Sequence, residues 1–101
     1  MIDTGIDINI FECEGNLPSD VEFKNNGKVA FFSVCTSRLN GIKPTSDRHY
    51  FVVKGSLLKS EVLSKLKKDT RVHAKGVLTY FYKENTPYPS AEIQCTSVEL
   101  K

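Results

Sequence analysis

The sequence predicts a single all-β domain of five strands, with one α-helix between the third and fourth strands. Three observations lead to this fold class. Apolar and polar residues alternate along most of the chain, turn-forming residues separate the alternating stretches, and only one stretch has apolar residues at helical spacing. The 101 residues are enough for one domain, residues 1–101, and too few for two.

The first strand is predicted over residues 6–14, which begin with Ile6 and have an apolar residue on each face. Ile8 and Ile10 share one face, whereas Phe11 and Cys13 lie on the other. The core needs only one of these faces. The isoleucine face is therefore left without an intramolecular partner and is expected to form a subunit interface.

Turn-forming residues place the next two strands. Glycine, asparagine and proline predict turns or loops at residues 15–18, 25–27 and 40–47. A brief extended stretch is expected at residues 21–24. The second and third strands are therefore predicted over residues 28–38 and 48–54, and Ala30, Phe32 and Val34 share the core face of the former.

One stretch has helical periodicity. Ser56 is a suitable N-cap, and Leu58, Val62 and Leu66 follow at a spacing of four. Three lysines crowd the last turn, where the helix dipole favours cations. The stretch is therefore expected to form the only α-helix of the domain.

The last two strands complete the topology. They are predicted over residues 71–83, with Val72, Ala74 and Leu78 facing the core, and over residues 90–96. Five strands with a helix between the third and fourth form the layout of an OB-fold barrel. A generic α+β sandwich is the structural alternative.

Charge is unevenly distributed along the chain. Residues 1–23 contain six acidic and no basic side chains, whereas the remainder contains all 14 lysines and arginines and six acidic residues. The net charge of this remainder is therefore +8, although the whole chain carries only +2. A basic surface that faces a polyanion would produce this asymmetry, and so would a mixed solvated surface.

Several functional classes receive no support from the sequence. No apolar run approaches the length of a membrane span, and the first residues show no signal-peptide pattern, so a cytoplasmic location without membrane contact is expected. The three cysteines form no CxxC pair and are expected to be free thiols. His49 and His73 stand alone, and no phosphate-binding glycine loop is present. We therefore expect no metal, no cofactor and no enzymatic activity.

Two segments carry a family resemblance. GNLPSDVEFKNNGKVAFFSVCTS, residues 15–37, and HYFVVKGSLLKSEVLSKLKKDTRVHAKGVL, residues 49–78, resemble bacterial single-stranded DNA-binding proteins in the order of their turns and strands. The family usually stacks bases on tryptophans, but this chain has none, and His49 stands at one such position. Because the chain also lacks the family's acidic tail, it is similar to primosomal replication protein N and to short phage and mobile-element binders.

Candidate DNA contacts follow from what a single strand requires, which is aromatic platforms within a positive groove. Phe81 is expected to point outward from the fourth strand, on the face that also carries His73, Lys75 and Lys83. Tyr82 and Tyr88 lie at or beyond the rim of the barrel. The resemblance implies that His49 and Phe51 also face the DNA. Phosphate contacts are predicted for four further cations: Arg38, Lys43, Arg48 and Lys54.

These observations predict a non-catalytic single-stranded DNA-binding protein that acts in DNA replication or recombination. The alternative is an OB-fold protein-interaction module that docks on a helicase or primase. Similar proteins pair barrels through the first strand, so a homodimer or homotetramer with Ile8 and Ile10 at its interface is expected.

Overall fold

The computed structural model describes residues 7–101, which form a mostly β structure. Six strands make up the fold: β1 (Phe11–Asn16), β2 (Glu22–Lys24), β3 (Val29–Asn40), β4 (Lys43–Val53), β5 (Arg71–Tyr82) and β6 (Pro89–Leu100). The predicted all-β character is confirmed. The strand count is six because the brief stretch before the first hairpin pairs with β3 as a strand of its own.

The predicted α-helix is wrong. Two short 3₁₀ helices, Gly55–Lys59 and Glu61–Lys65, occupy that stretch. Ser60 separates them with an extended backbone (ψ 136°) and caps the second by accepting a hydrogen bond from the amide of Val62. The deeply buried side chains here are Leu63 and Leu66, a spacing of three that matches the three residues per turn of a 3₁₀ helix. Within residues 7–101 no helix is long and apolar enough to cross a membrane.

The strands form one sheet that curls back on itself. Its order is β1-β5-β6-β4-β3-β2, and a further antiparallel pairing joins β1 to β3 through Asn16 and Cys35. All neighbouring strands are antiparallel except β4 and β6, which run parallel. The predicted barrel is therefore a six-stranded sheet that closes through a single residue pair.

The closure depends on Gly15, which precedes that pair. A Cβ atom at this position would lie 2.0 Å from the backbone carbonyl oxygen of Cys35. Any other residue would therefore force β1 and β3 apart. The sequence predicted that Gly15 belongs to a turn, but it is the fifth residue of β1.

The core lies inside the curled sheet. It contains the predicted side chains Ala30, Phe32 and Val34 of β3, and Val72 and Ala74 of β5. Leu78 packs against this cluster, as expected. Phe32 stacks on Phe51 with ring centroids 4.9 Å apart and planes at 3°. The apolar alternation of β3 and β5 thus predicted the core face correctly.

Several predicted boundaries are wrong. The first strand begins at Phe11, since residues 7–10 are not part of a strand, and Ile6 lies outside the described residues. The predicted loop at residues 40–47 is mostly strand, because Gly41 (φ 68°) supplies a two-residue hairpin turn and β4 begins at Lys43. The predicted turn at Asn25-Asn26-Gly27 is confirmed by three consecutive positive φ angles. β6 continues to Leu100, four residues beyond its predicted end at residue 96.

Candidate nucleic-acid interface

Two hairpins extend from the closed part of the sheet as exposed arms. The β3–β4 arm ends at the turn after Asn40, and the β5–β6 arm ends in the loop between Tyr82 and Pro89. The second arm carries most of the aromatic residues that were predicted to bind DNA. Tyr80, Tyr82 and Tyr88 are strongly exposed, whereas Phe81 is only 38% exposed. Phe81 is therefore the most covered ring of this aromatic group.

The predicted orientation of β4 is wrong for Phe51. This side chain is only 1% exposed and packs in the core against Phe32. His49, on the same face, is partly buried against the Phe11 ring at 5.1 Å, and its Nε2 lies 2.9 Å from the Thr36 hydroxyl. Alternation could not orient this strand because both of its faces carry apolar and aromatic residues.

Tyr50 is the outward-facing aromatic residue of β4, with 63% of its surface exposed. Phe31 lies on the same outer face, on β3, and is also exposed. Each ring has a cation beside it. Arg48 lies 6.0 Å from the centroid of Tyr50, and Lys24 lies 5.6 Å from that of Phe31. We call these four residues the outer aromatic patch.

Sequence reasoning missed both rings of the outer aromatic patch. For Phe31 a signal existed, since it alternates with the core residues Ala30 and Phe32 and must face the other way. Tyr50 was assigned to the face opposite the DNA because the resemblance placed His49 on the DNA side. In the structure Tyr50 lies on the exposed face of β4 and Phe51 lies in the core.

The predicted phosphate contacts differ in availability. The Nε of Arg38 donates a 2.7 Å hydrogen bond to Asp47 across the β3–β4 arm, and this bond holds the pKa of the Asp47 carboxyl below its ordinary value. Lys43, Lys54 and Lys83 are exposed and form no ion pair with any other described residue. Arg48 is charged, as an arginine always is in proteins, and Tyr50 and then Cys35 raise the pKa of its guanidinium group further.

His73 and Lys75 lie on a different surface, the outer face of β1 and β5. His73 is hydrogen-bonded to the Glu12 carboxylate, and Lys75 lies 3.8 Å from the same group. The Glu14 carboxylate likewise forms an ion pair with Arg71, whose guanidinium nitrogen lies 3.5 Å from a Glu14 oxygen. Carboxylates therefore offset the basic groups of this face. The structure does not bring His73 and Lys75 together with the outer aromatic patch.

A cleft of about 270 Å³ separates the bases of the two arms. Its walls include Arg48, His49 and Tyr50 on one side and Leu78, Ala91 and Glu92 on the other. The cleft connects Tyr50 of the outer aromatic patch to the β5–β6 arm. The arms and the patch thus form one continuous surface, which we call the arm surface.

The predicted interface residues Ile8 and Ile10 are both strongly exposed. Between them, the Asn9 side chain pairs with the backbone of Leu78, donating to its carbonyl at 2.8 Å and accepting from its amide at 3.1 Å. The Asn9 side chain thus attaches the segment before β1 to β5, and the side chains of both isoleucines remain exposed.

The cysteines are free, and two of them are shielded. Burial raises the pKa of both Cys13 and Cys95 to about 11. Cys35 lies on the outer face of β3, in register with Arg48. Nowhere in residues 7–101 do three histidine, cysteine or acidic side chains form a group that could hold a metal ion.

Comparison with known proteins identifies the fold. No protein-family model and no curated protein sequence matches the chain. A small single-stranded DNA-binding protein from Mycoplasma pneumoniae superposes with a TM-score of 0.70 at 15% identity, covering 92% of this chain and 93% of its own. The Plasmodium falciparum SSB, solved in complex with ssDNA, gives a TM-score of 0.68 at 24% identity, covering 97% and 96%. The chain therefore has the fold of these two proteins over nearly its whole length.

Proposed function

We propose that this chain is a non-catalytic single-stranded DNA-binding protein that acts in DNA replication or recombination. The observation that carries the proposal is the arm surface, where exposed aromatic rings lie beside cations. Tyr50 and Phe31 each have a neighbouring basic group, and the β5–β6 arm adds Tyr82 and Tyr88. Two proteins with this fold are single-stranded DNA-binding proteins by their own descriptions, which supports the same ligand here.

The mechanism is sheathing of the strand without chemistry. Bases stack on the exposed rings of Tyr50, Phe31 and the β5–β6 arm, including Phe81. Stacking tolerates any sequence because every base has a π-face, and each stacked base contributes about 1–3 kcal/mol. Arg48, Lys43, Lys54 and Lys83 contact the phosphates, which adds a salt-dependent term. His49, in the wall of the cleft, also contacts the DNA.

The test is fluorescence anisotropy with a labelled, unstructured oligonucleotide at several salt concentrations. We expect tighter binding to the single strand than to a duplex of equal length. The slope of log K against log salt should be about −0.7 for each phosphate contact. Equal affinity for the duplex, or no binding at low salt, would refute the proposal.

A second candidate function is supported by the tip of the β3–β4 arm. Ile42 is 99% exposed there, and Leu39 is also strongly exposed. A protein-interaction module that docks on a helicase or primase would use such apolar side chains. In that case Tyr50→Ala leaves DNA affinity unchanged, whereas Leu39→Ser with Ile42→Ser abolishes binding to the purified helicase or primase.

We further propose that the chain forms a homodimer or homotetramer through Ile8 and Ile10. Exposed apolar side chains that line one face are typical of interfaces. Light scattering should give a mass at least twice 11.4 kDa at micromolar concentration, and Ile8→Ser with Ile10→Ser should reduce that mass. A monomeric wild-type protein would contradict this assembly.

We also propose a cytoplasmic location. The three free cysteines support it, because free thiols persist in a reducing compartment.

A further inference from the structure

A cavity of about 260 Å³ lies beside the outer aromatic patch, where the segment that leads into β2 passes β3 and β4. Phe31 and Tyr50 both line it. Its volume is below the roughly 300–1,000 Å³ of sites for drug-sized ligands. A single planar ring that stacks on the exposed aromatic side chains therefore suits it better than a larger molecule.

The polar lining of this cavity contains two carboxylates, beside the hydroxyls of Ser19 and Ser33 and the guanidinium group of Arg48. Asp20 and Glu22 contribute carboxylates, which only accept when ionised. Asp20 is held in place because its Oδ1 accepts a 2.7 Å hydrogen bond from the backbone amide of Lys68. Ser33 also lines the cavity, and this residue is only 6% exposed. The cavity thus presents two carboxylates to a ligand, together with two hydroxyls and one guanidinium group.

We propose that this cavity binds one nucleobase that carries an exocyclic amino group, and that it favours cytosine over thymine. The proposal rests on the function proposed above and adds a base preference to it. The cytosine N4 amino group donates to a carboxylate, as Asp and Glu do when they read cytosine elsewhere. Thymine presents a carbonyl oxygen at the same ring position, and its one Watson–Crick donor is the adjacent N3–H. Thymine can therefore donate to the carboxylates only if the base shifts along its edge.

Charge also fixes the direction in which the nucleotide enters. Asp20 and Glu22 repel phosphate, and Lys24, 3.8 Å from the Glu22 carboxylate, offsets part of this charge. The backbone is therefore disfavoured mainly on the Asp20 side of the cavity. Arg48 lines the same cavity and carries the positive charge there. The phosphate therefore goes to Arg48, and the Watson–Crick edge of the base points towards the carboxylates.

The sharpest test compares two oligonucleotides of equal length, one of 5-methylcytosine and one of thymine. These bases share the C5 methyl group and differ in the amino or carbonyl group at C4. For the full chain we expect about 3- to 10-fold tighter binding of the 5-methylcytosine strand, the ratio for one hydrogen bond. The measurement is fluorescence anisotropy above neutral pH.

Glu22→Gln tests the source of the preference. An amide can donate to the thymine carbonyl, so the affinity ratio should fall towards one even if the lost charge strengthens binding of both strands. Glu61→Gln removes the same charge from the second 3₁₀ helix, outside the cavity, and should keep the ratio. Asp20→Asn, whose amide oxygen can still accept from Lys68, provides the second variant, and thermal melts check that each one folds.

The outcomes separate the two proposals. Equal affinity of the wild-type protein for both strands overturns the base preference and leaves the proposed function standing. The same holds if the ratio survives in both Glu22→Gln and Asp20→Asn. If neither strand binds at low salt, the proposed function itself fails.

Discussion

Adjacent residues Tyr50 and Phe51 point to opposite sides of β4, so the same kind of substitution should have different effects at each. Tyr50→Ala should weaken single-strand binding by about 1–3 kcal/mol, the contribution of one stacked base, with little change in melting temperature. Phe51→Ala removes a buried ring from the core and should cost about 3–5 kcal/mol of folding stability. Anisotropy and thermal melts on both variants test this. A Tyr50→Ala protein that melts as early as Phe51→Ala would show that Tyr50 is structural.

The cysteines give a prediction with a pH dependence. Since the pKa values of Cys13 and Cys95 are raised to about 11, their thiolates are scarce at pH 8, and iodoacetamide should modify Cys35 first. DNA on the outer aromatic patch should slow that modification. The unfolded chain releases its thiol protons at lower pH than the folded chain, so stability should fall as pH rises from about 9 towards 11. Peptide mapping that finds Cys95 modified as fast as Cys35 would contradict this assignment.

At the scale of single elements, the sequence predicted core faces well where polar residues interrupt the opposite face. β3 and β5 alternate in this way, and their core faces were predicted correctly. β4 carries Tyr50 and Val52 on one face and Phe51 and Val53 on the other, so alternation alone left its orientation undecided. The helix prediction failed because a spacing of four over few residues cannot exclude the tighter 3₁₀ turn that burial of Leu63 and Leu66 favours.

The closure of the sheet at β1 yields a prediction about Gly15. Gly15→Ala should cost about 3 kcal/mol or more, since the added methyl group overlaps the Cys35 carbonyl. Gly41→Ala is the control. Nothing lies within 4 Å of its added Cβ, and the strain of its positive φ should cost only about 1 kcal/mol. Urea unfolding compares the two. Equal losses would show that the close approach of β1 and β3 is not needed.

An ion pair within the β3–β4 arm limits how strongly one of its arginines can bind phosphate. Asp47 forms an ion pair with Arg38, so Asp47→Asn should leave the Arg38 guanidinium group available to bind a phosphate. Binding should tighten at low salt, and the salt slope should become steeper by about 0.7, the value of one further phosphate contact. Asp69→Asn removes the same charge away from the arms and should leave the slope unchanged. Identical slopes for wild type and Asp47→Asn would mean that Arg38 does not reach the DNA.

At the scale of the whole molecule, composition and order of elements were enough to predict an all-β domain, but not how the sheet closes. Closure depends on one pair, Asn16 with Cys35, between strands that are distant in sequence. A local pattern cannot specify such a contact. For the same reason the sequence did not show that Asp20 and Glu22 would lie beside Phe31 and Tyr50, because the curl of the sheet assembles that cavity from three segments.

The arms leave their cleft open along one side, and this geometry decides which DNA molecules can enter. A protein that encircled the strand would have to be threaded onto it from one end. Here the strand can enter the open cleft from the side. Covalently circular single-stranded DNA should therefore bind as tightly, per nucleotide, as a linear strand of the same sequence. A gap inside a duplex, which offers no terminus, should be covered as readily as a free overhang. Competition between circular and linear forms for one labelled oligonucleotide measures this directly, and a strong preference for linear DNA would mean that the arms close over their ligand.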